Sequence, residues 1–374
     1  MSLKQRIWFL AAIAIMASLI GVGAWMDAAR IKSSPDGLSI DMSIREIAPK
    51  LNFSRRALAL ELGLSPDVSK RKPIRIYGVT QVKLDHIVEH TLLHRGGMLK
   101  YSVYLALVLG GLIFLVKLGR PNGADAENKS NAYPRTPYVV FLLVSILVVG
   151  FLLGKSPNPM EGIVKAVKAM AGFYSETWGY FTAFAFFILL AVIGNKMICG
   201  WACPIGALQE LIYSLPMMKK IKRKKPPFVV TNTIRTALFL TMLWLLFSAG
   251  RSSGTRSLYH NLNPFNLFDL HFENAVIAGT VIFVIIASFA IYRPFCQLIC
   301  PFGWISWLAE RFSIYRVRID KDSCIHCETC ANVCPTGSVK GLVKGKIMPA
   351  DCFSCGRCLN VCPVDAIQYC RKMK

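Results

Sequence analysis

Unbroken apolar runs alternate along the chain with polar segments. Six of them approach the length a bilayer demands: residues 7–26, 101–116, 138–153, 180–198, 236–249 and 276–291. They predict six membrane-spanning helices, several of them short, with ends fixed only to within a few residues. The first run follows "MSLKQR", and Gly23 and Ala24 would suit a cleaved signal, but the run exceeds the usual signal core and reads as an uncleaved helix. Residues 27–100 break the apolar pattern. Within them "SIREIAPKLN" and "SRRALALELG" carry helical periodicity, with Ser43 and Ser54 placed as N-caps. "NPMEGIVKAVKAMAGFY" (158–174) sets Ile163, Val167, Met170 and Tyr174 on one side of a helix suited to a membrane interface.

Composition agrees with a membrane protein. The 374 residues are 54% hydrophobic and 17% charged, with a mean hydropathy of +0.44, which excludes an ordinary soluble domain. The net charge of +23 would elsewhere suggest nucleic acid, but its placement gives a simpler account. Lys117, Arg120, Lys129 and Arg135 follow the second run, and "KKIKRKK" (219–225) follows the fourth. The positive-inside rule makes those loops cytoplasmic, along with both termini, and leaves 27–100 extracytoplasmic. Docking of an acidic carrier on the basic run is the alternative to topology. The helix-turn-helix look of 27–100 is set aside because a segment outside the membrane does not meet DNA. All thirteen cysteines lie between Cys199 and Cys370, in segments assigned to the reducing side.

The cysteines are grouped. "CIHCETCANVCP" from Cys324 and "CFSCGRCLNVCP" from Cys352 are each C-x2-C-x2-C-x3-C-P, the bacterial ferredoxin run in which the fourth cysteine serves the other cluster. That wiring assigns Cys324, Cys327, Cys330 and Cys362 to one 4Fe–4S cluster and Cys352, Cys355, Cys358 and Cys334 to a second. Zinc also accepts C-x2-C pairs, but two complete runs, each closed by Pro, favour iron–sulfur. Cys370 fits neither run.

A second pattern lies upstream. "CGWACPIG" from Cys199 and "CQLICPFG" from Cys296 share C-x-x-x-C-P-x-G at an offset of 97 residues, which also pairs Lys196 with Arg293. Each copy has an Asn-Pro upstream, at Asn158 and Asn263, so about 136–215 and 228–312 read as parallel copies related by a pseudo-two-fold along the membrane normal. Three readings stand for Cys199, Cys203, Cys296 and Cys300: joint ligation of a further iron–sulfur cluster, redox-active dithiols or a transient metal site, and structural cysteines. Lys196 and Arg293 suit an anionic occupant but equally resemble snorkelling anchors. Arg235, near the inner end of the fifth run, is expected to snorkel. His86, His90 and His94 repeat every four residues and share a helix face that could hold metal or haem, alone or with His260 and His271; a solvated face is the simpler reading.

Tandem C-x3-C-P motifs followed by a two-cluster ferredoxin domain resemble the NapH/MauN family of membrane ferredoxin proteins and the C-terminal half of NosR. The resemblance covers about 136–370. It implies electron transfer linked to quinol at the cytoplasmic membrane, with lipid, quinone and other redox subunits as partners. Residues 27–100 and the first two runs exceed the family's four-helix plan, and no convincing flavin-attachment site of the NosR kind is present. The fold expected is an α-helical integral membrane protein with about six transmembrane helices, an internal parallel repeat and a C-terminal α+β bacterial-type two-cluster ferredoxin domain. Its parts are a first helix (1–26), a small helical extracytoplasmic domain (27–100), a second helix with a basic loop (101–135), a duplicated four-helix core (136–312) and the ferredoxin domain (313–374). Two other functions fit the motifs: a copper reductase or cofactor-maturation factor, and a redox-sensing regulatory or assembly subunit.

Overall fold

The computed structural model describes Ser18 and residues 37–51, 55, 58–59, 62–65, 68–85, 98–119, 136–174, 177–215, 225–247, 258–270, 272, 274–346 and 349–371. The first apolar run apart from Ser18, the Ser54 cap, most of both basic loops, and His86, His90, His94 and His271 lie outside the described residues. Among the described residues the α-helices of five residues or more are, in chain order, α1 (Ile44–Lys50), α2 (Met98–Leu118), α3 (Thr136–Val144, continued by a π-helical stretch at Ser145–Leu152), α4 (Pro159–Met170), α5 (Trp178–Ile193), α6 (Pro204–Ser214), α7 (Phe228–Phe247), α8 (Ala275–Ser288), α9 (Pro294–Leu298), α10 (Pro301–Ala309), α11 (Thr329–Val333), α12 (Ser338–Val343) and α13 (Arg357–Val361). Strands β1 (Arg316–Ile319) and β2 (Ile367–Cys370) form an antiparallel ribbon that pairs Val317 with Tyr369.

Among the described residues two helices, α2 and α7, are long and apolar enough to cross a membrane; 136–152, α5 and α8 are apolar but shorter. Each of the five apolar runs after the first falls on one of these helices, with altered ends. α5 stops at Ile193, before the expected 198, because Asn195 and Lys196 take left-handed backbone (φ 52° and 62°) that an α-helix cannot continue. α7 starts at Phe228, well before 236, which places Arg235 inside a helix rather than at its edge.

The chain divides into two compact units, one from Met1–Ser102, Ser156–Ala185 and Phe239–Leu262, the other from Val103–Lys155, Phe186–Leu238 and Asn263–Lys374. In the first, Ser43 stands at the N-cap of α1, as its sequence position suggests, and the Glu46 carboxylate accepts its backbone N–H (2.8 Å) and hydroxyl (2.9 Å). The reciprocal pairing ties off the amino end of the helix. Ile44, Ile47 and Leu51 then pack with Leu58, Leu62, Ile74 and Leu84 in a core belonging to this small region. α4 is capped by Asn158, whose Oδ1 accepts from Glu161 N at 2.9 Å, with Pro159 at the first helical position. Ile163 and Val167 are buried on it, but Met170, on the same face at the end of the helix, is 68% exposed.

In the second unit Trp201 is fully buried, ringed by Phe114, Tyr138 and Phe141 with centroids 5.5, 4.5 and 5.3 Å away. Gly111 of α2 makes room for it, since a Cβ there would come within 2.7 Å of the indole. This cluster fixes the loop that carries the first cysteine pair.

Candidate functional site

The two C-x3-C-P segments adopt the same local structure. Cys203 and Cys300 are the N-caps of α6 and α10, with φ/ψ of −73°/118° and −64°/118°, and Pro204 and Pro301 occupy the first helical position, where the missing N–H costs nothing. Each N–H reaches five residues back, Cys203 to Ile198 O (2.8 Å) and Cys300 to Phe295 O (2.9 Å). This π-type turn widens the backbone just ahead of the second cysteine. Lys196 and Arg293 both hold left-handed backbone (φ 62° and 48°).

The motif glycines have a steric cause. A Cβ at Gly303 would lie 2.5 Å from Cys296 O, and one at Gly206 would collide with Cys199 O, so each helix packs against the carbonyl of the first cysteine in its own pair. An arginine donates to each of those carbonyls: Arg235 Nη1 to Cys296 O at 3.2 Å, and Arg293 Nη1 to Cys199 O. All four thiols are buried, and Cys203, Cys296 and Cys300 all lie within electrostatic reach of Cys199. Gln209 of α6 bridges the two copies: its amide N–H points to Cys296 Sγ (3.6 Å) and its Oε1 accepts from Phe295 N (2.9 Å).

The cations around the cysteines do not snorkel. Lys196, Arg235 and Arg293 are all fully buried. Lys196 and Arg235 meet at Asp351, the latter 3.1 Å from Oδ2, and Lys196 also lies 3.3 Å from Glu310. Arg293 (3.0 Å) and Arg357 (2.6 Å) share Glu210. Arg235 therefore meets an anion, and the helix is spared an unpaired charge. Asp351, Glu210, Glu310 and Gln209 belong to no sequence pattern. Tyr138 was recoverable: the 97-residue offset places it opposite Arg235, and its hydroxyl donates to Gly200 O at 3.3 Å.

The second ferredoxin run docks on this assembly. Phe353, between Cys352 and Ser354, has Lys196 and Arg293 each 5.1 Å from its ring centroid. Gly200 is bare because a Cβ would overlap the Phe353 carbonyl. Trp201 Nε1 donates to Ser354 O (2.9 Å), Asn195 Nδ2 to Cys352 O (3.3 Å) and Tyr369 OH to Gly194 O (2.6 Å).

Cys334, Cys352, Cys355 and Cys358 line one cavity. Burial, then the neighbouring thiols, push Cys358 up, with Cys355, Cys352 and Cys334 contributing, and Cys355 rises to about 11. Burial likewise raises Cys330, followed by Cys362, Cys327 and Cys324, while hydrogen bonds from Thr329 lower the exposed Cys327. Among the described residues no three His, Cys, Asp or Glu side chains converge closely enough to hold a single metal ion. Cys370 pairs with Arg316 across the ribbon.

Three family models match the chain: a 4Fe-4S binding domain over residues 177–226 and 4Fe-4S dicluster domains over 294–338 and 317–369. The first takes in Cys199 and Cys203, and the second joins Cys296 and Cys300 to the Cys324–Cys334 run. The ferredoxin-type protein NapH of Haemophilus influenzae is 28% identical over 156 residues, 41% of this chain and 52% of that protein. The methylamine utilization ferredoxin-type protein MauN of Methylobacillus flagellatus is 27% identical over 148 residues, 38% and 50% of the two chains. The regulatory protein NosR of Stutzerimonas stutzeri is 26% identical over 149 residues, 39% and 21%. The chain thus spans about half the length, or less, of these curated relatives. No solved structure matches it.

Proposed function

Because the chain belongs among the NapH/MauN-type ferredoxin proteins, we propose that it is an inner-membrane electron-transfer subunit linking the quinone pool to a redox partner. The observation that carries this reading is the docking of the Cys352–Cys358 run on the paired C-x3-C-P loops through Phe353, Lys196 and Arg293. It brings the second ferredoxin run against the loops that carry the buried Cys199, Cys203, Cys296 and Cys300, while Cys327 of the first run is exposed.

On this proposal Cys324, Cys327, Cys330 and Cys362 hold one 4Fe–4S cluster, Cys352, Cys355, Cys358 and Cys334 a second, and the four C-x3-C-P cysteines a third. Such clusters, when bound, take up and release single electrons. The chain supplies the ligands, the Gln209 N–H toward sulfur, and buried cations that offset thiolate charge. Asp351 and Glu210 keep those cations paired.

The same reading keeps six spans, with both termini and the ferredoxin domain cytoplasmic. Large apolar side chains left exposed on two of the apolar helices support it: Val229, Leu240, Trp244 and Phe247 on α7, and Ile282, Phe283 and Ile286 on the shorter α8. The apolar window of α7 is only 28% buried, unlike the core helix of a soluble protein.

The test is iron and acid-labile sulfide per chain in anaerobically purified protein, beside a variant with Cys199, Cys203, Cys296 and Cys300 changed to Ala. About twelve irons falling to about eight in the variant is the expected result. About eight in both would leave the four cysteines as free thiols and end the claim of a third cluster.

A further inference from the structure

The two C-x3-C-P loops are matched in much of what surrounds their cysteines. Arg293 donates to Cys199 O and Arg235 to Cys296 O, so each first cysteine has a buried guanidinium on its carbonyl. The leading N–H groups of the motif helices, Ile205 and Gly206 on α6 and Phe302 and Gly303 on α10, favour negative charge on Cys203 and Cys300 alike. One side-chain donor breaks the match. Gln209 aims an N–H at Cys296 Sγ (3.6 Å), and the 97-residue offset that relates the copies puts Ser306 in the equivalent place. The Ser306 hydroxyl donates instead to Gly303 O (3.2 Å), inside its own helix.

The amide of Gln209 cannot be turned the other way round. Its Oε1 accepts from Phe295 N (2.9 Å), a group that can only donate, and its Nε2 donates to Ile205 O (2.9 Å), a group that can only accept. Backbone alone therefore decides which end of the amide meets the sulfur. That end has only hydrogens to offer, so Cys296 Sγ must act as acceptor. A protonated thiol accepts weakly, whereas a thiolate, free or bound to iron, accepts strongly because it is charged. Gln209 is also fully buried, which keeps water from competing and strengthens the contact beyond its worth at a surface.

We propose that Gln209 sets the reduction potential of the centre held by Cys199, Cys203, Cys296 and Cys300, an inference that rests on the third cluster proposed above. A hydrogen bond to a ligating sulfur stabilises the more negative, reduced state and so raises the potential. Gln209 is thus a positioning residue, acting through the Cys296 sulfur. Its one-sided N–H makes the centre easier to reduce than the matched loops alone would.

Anaerobically purified full-length protein in detergent is reduced stepwise with dithionite and mediators and followed by electron paramagnetic resonance. The signal missing from the variant with all four cysteines changed to Ala is assigned to this centre. Gln209→Met keeps the length of the side chain without its amide, and Gln209→Glu keeps an acceptor for Phe295 N while losing the N–H. At unchanged iron per chain, each should lower the reduced-to-oxidised ratio of the centre about tenfold at a fixed poise, which is about 59 mV for a one-electron couple. The ferredoxin signals should stay in place, and Ser306→Ala, the equivalent change in the other copy, should leave the potential where it was. Should Gln209→Met shed iron, Gln209→Glu carries the comparison, because its bond to Phe295 N survives. About twelve irons with an unmoved potential in the iron-replete variants would reduce Gln209 to a staple between the loops and overturn the proposal while the third cluster stands. About eight irons in the wild-type protein would remove the centre itself, and the proposal with it.

Discussion

Gly303→Ala is the sharpest probe of the cysteine-motif geometry. The new methyl would sit 2.5 Å from Cys296 O, while ordinary contact begins near 3.4 Å, so α10 and the Cys296 carbonyl must part by about 0.9 Å. The obstacle is backbone and cannot swing aside as a flexible side chain would. The methyl would also press on Arg235 Nη1, 3.3 Å away, whose bond to the same carbonyl is 3.2 Å long. Overpacking of this kind costs about 1–3 kcal/mol, and weakening a charged hydrogen bond adds about 1–2 kcal/mol, so the expected destabilisation is about 2–5 kcal/mol. Gly279→Ala is the control: it lies in α8 with nothing within 4 Å of its Cβ position, and there Ala should be neutral or slightly stabilising. Thermal unfolding of both variants in detergent, followed by tryptophan fluorescence, makes the comparison. Gly303→Ala should unfold several degrees below wild type and retain less iron. A Gly303→Ala protein as stable as Gly279→Ala would refute the close approach.

Other perturbations read different parts of the molecule. Asp351→Asn leaves Lys196 and Arg235 buried without their shared anion and should cost about 3–5 kcal/mol; adding Arg235→Gln should recover part of that loss, and a strictly additive double mutant would show that the two do not interact. Tyr369→Phe removes the 2.6 Å bond to Gly194 O and should cost about 1 kcal/mol, read as a small drop in unfolding temperature at full iron content. In α1 the Ser43 hydrogen bonds hold Glu46 below its ordinary value of 4.5. A carboxylate depressed on folding contributes stability above that value and loses it as pH falls through the folded value. Hydrogen exchange of residues 44–50 should accelerate beyond its intrinsic pH dependence in that window, and Glu46→Gln should abolish the effect; identical profiles for the two proteins would disprove it.

What the sequence conveyed was what recurs in it. The ferredoxin runs and the 97-residue offset identify twelve of the thirteen cysteines, because ligand chemistry fixes residue type and spacing together. Ser43 was legible as a cap for a similar reason, since a cap's partners lie within one turn. Glu210, Glu310 and Asp351 were not legible: each is a lone acid whose role exists only once distant segments meet. Arg235 was misjudged as a snorkelling residue for the same cause, its partner lying 116 positions downstream. The end of α5 was misplaced because apolar composition continues past Asn195 and Lys196, where the backbone has already turned left-handed. Met170 kept helical phase with Ile163 and Val167, yet periodicity did not tell which neighbours would cover it.

The bare Cα of Gly200 against the Phe353 carbonyl carries a consequence for biosynthesis. The surface that receives Phe353 is finished only when Arg293 has been made, and Phe353 itself follows sixty residues later. The Cys352–Cys358 run therefore cannot reach its final seat while the chain is still being translated through its middle. Iron–sulfur assembly factors would meet these cysteines on a nearly complete polypeptide, and truncations between residues 293 and 353 would yield a receiving surface with nothing to close it.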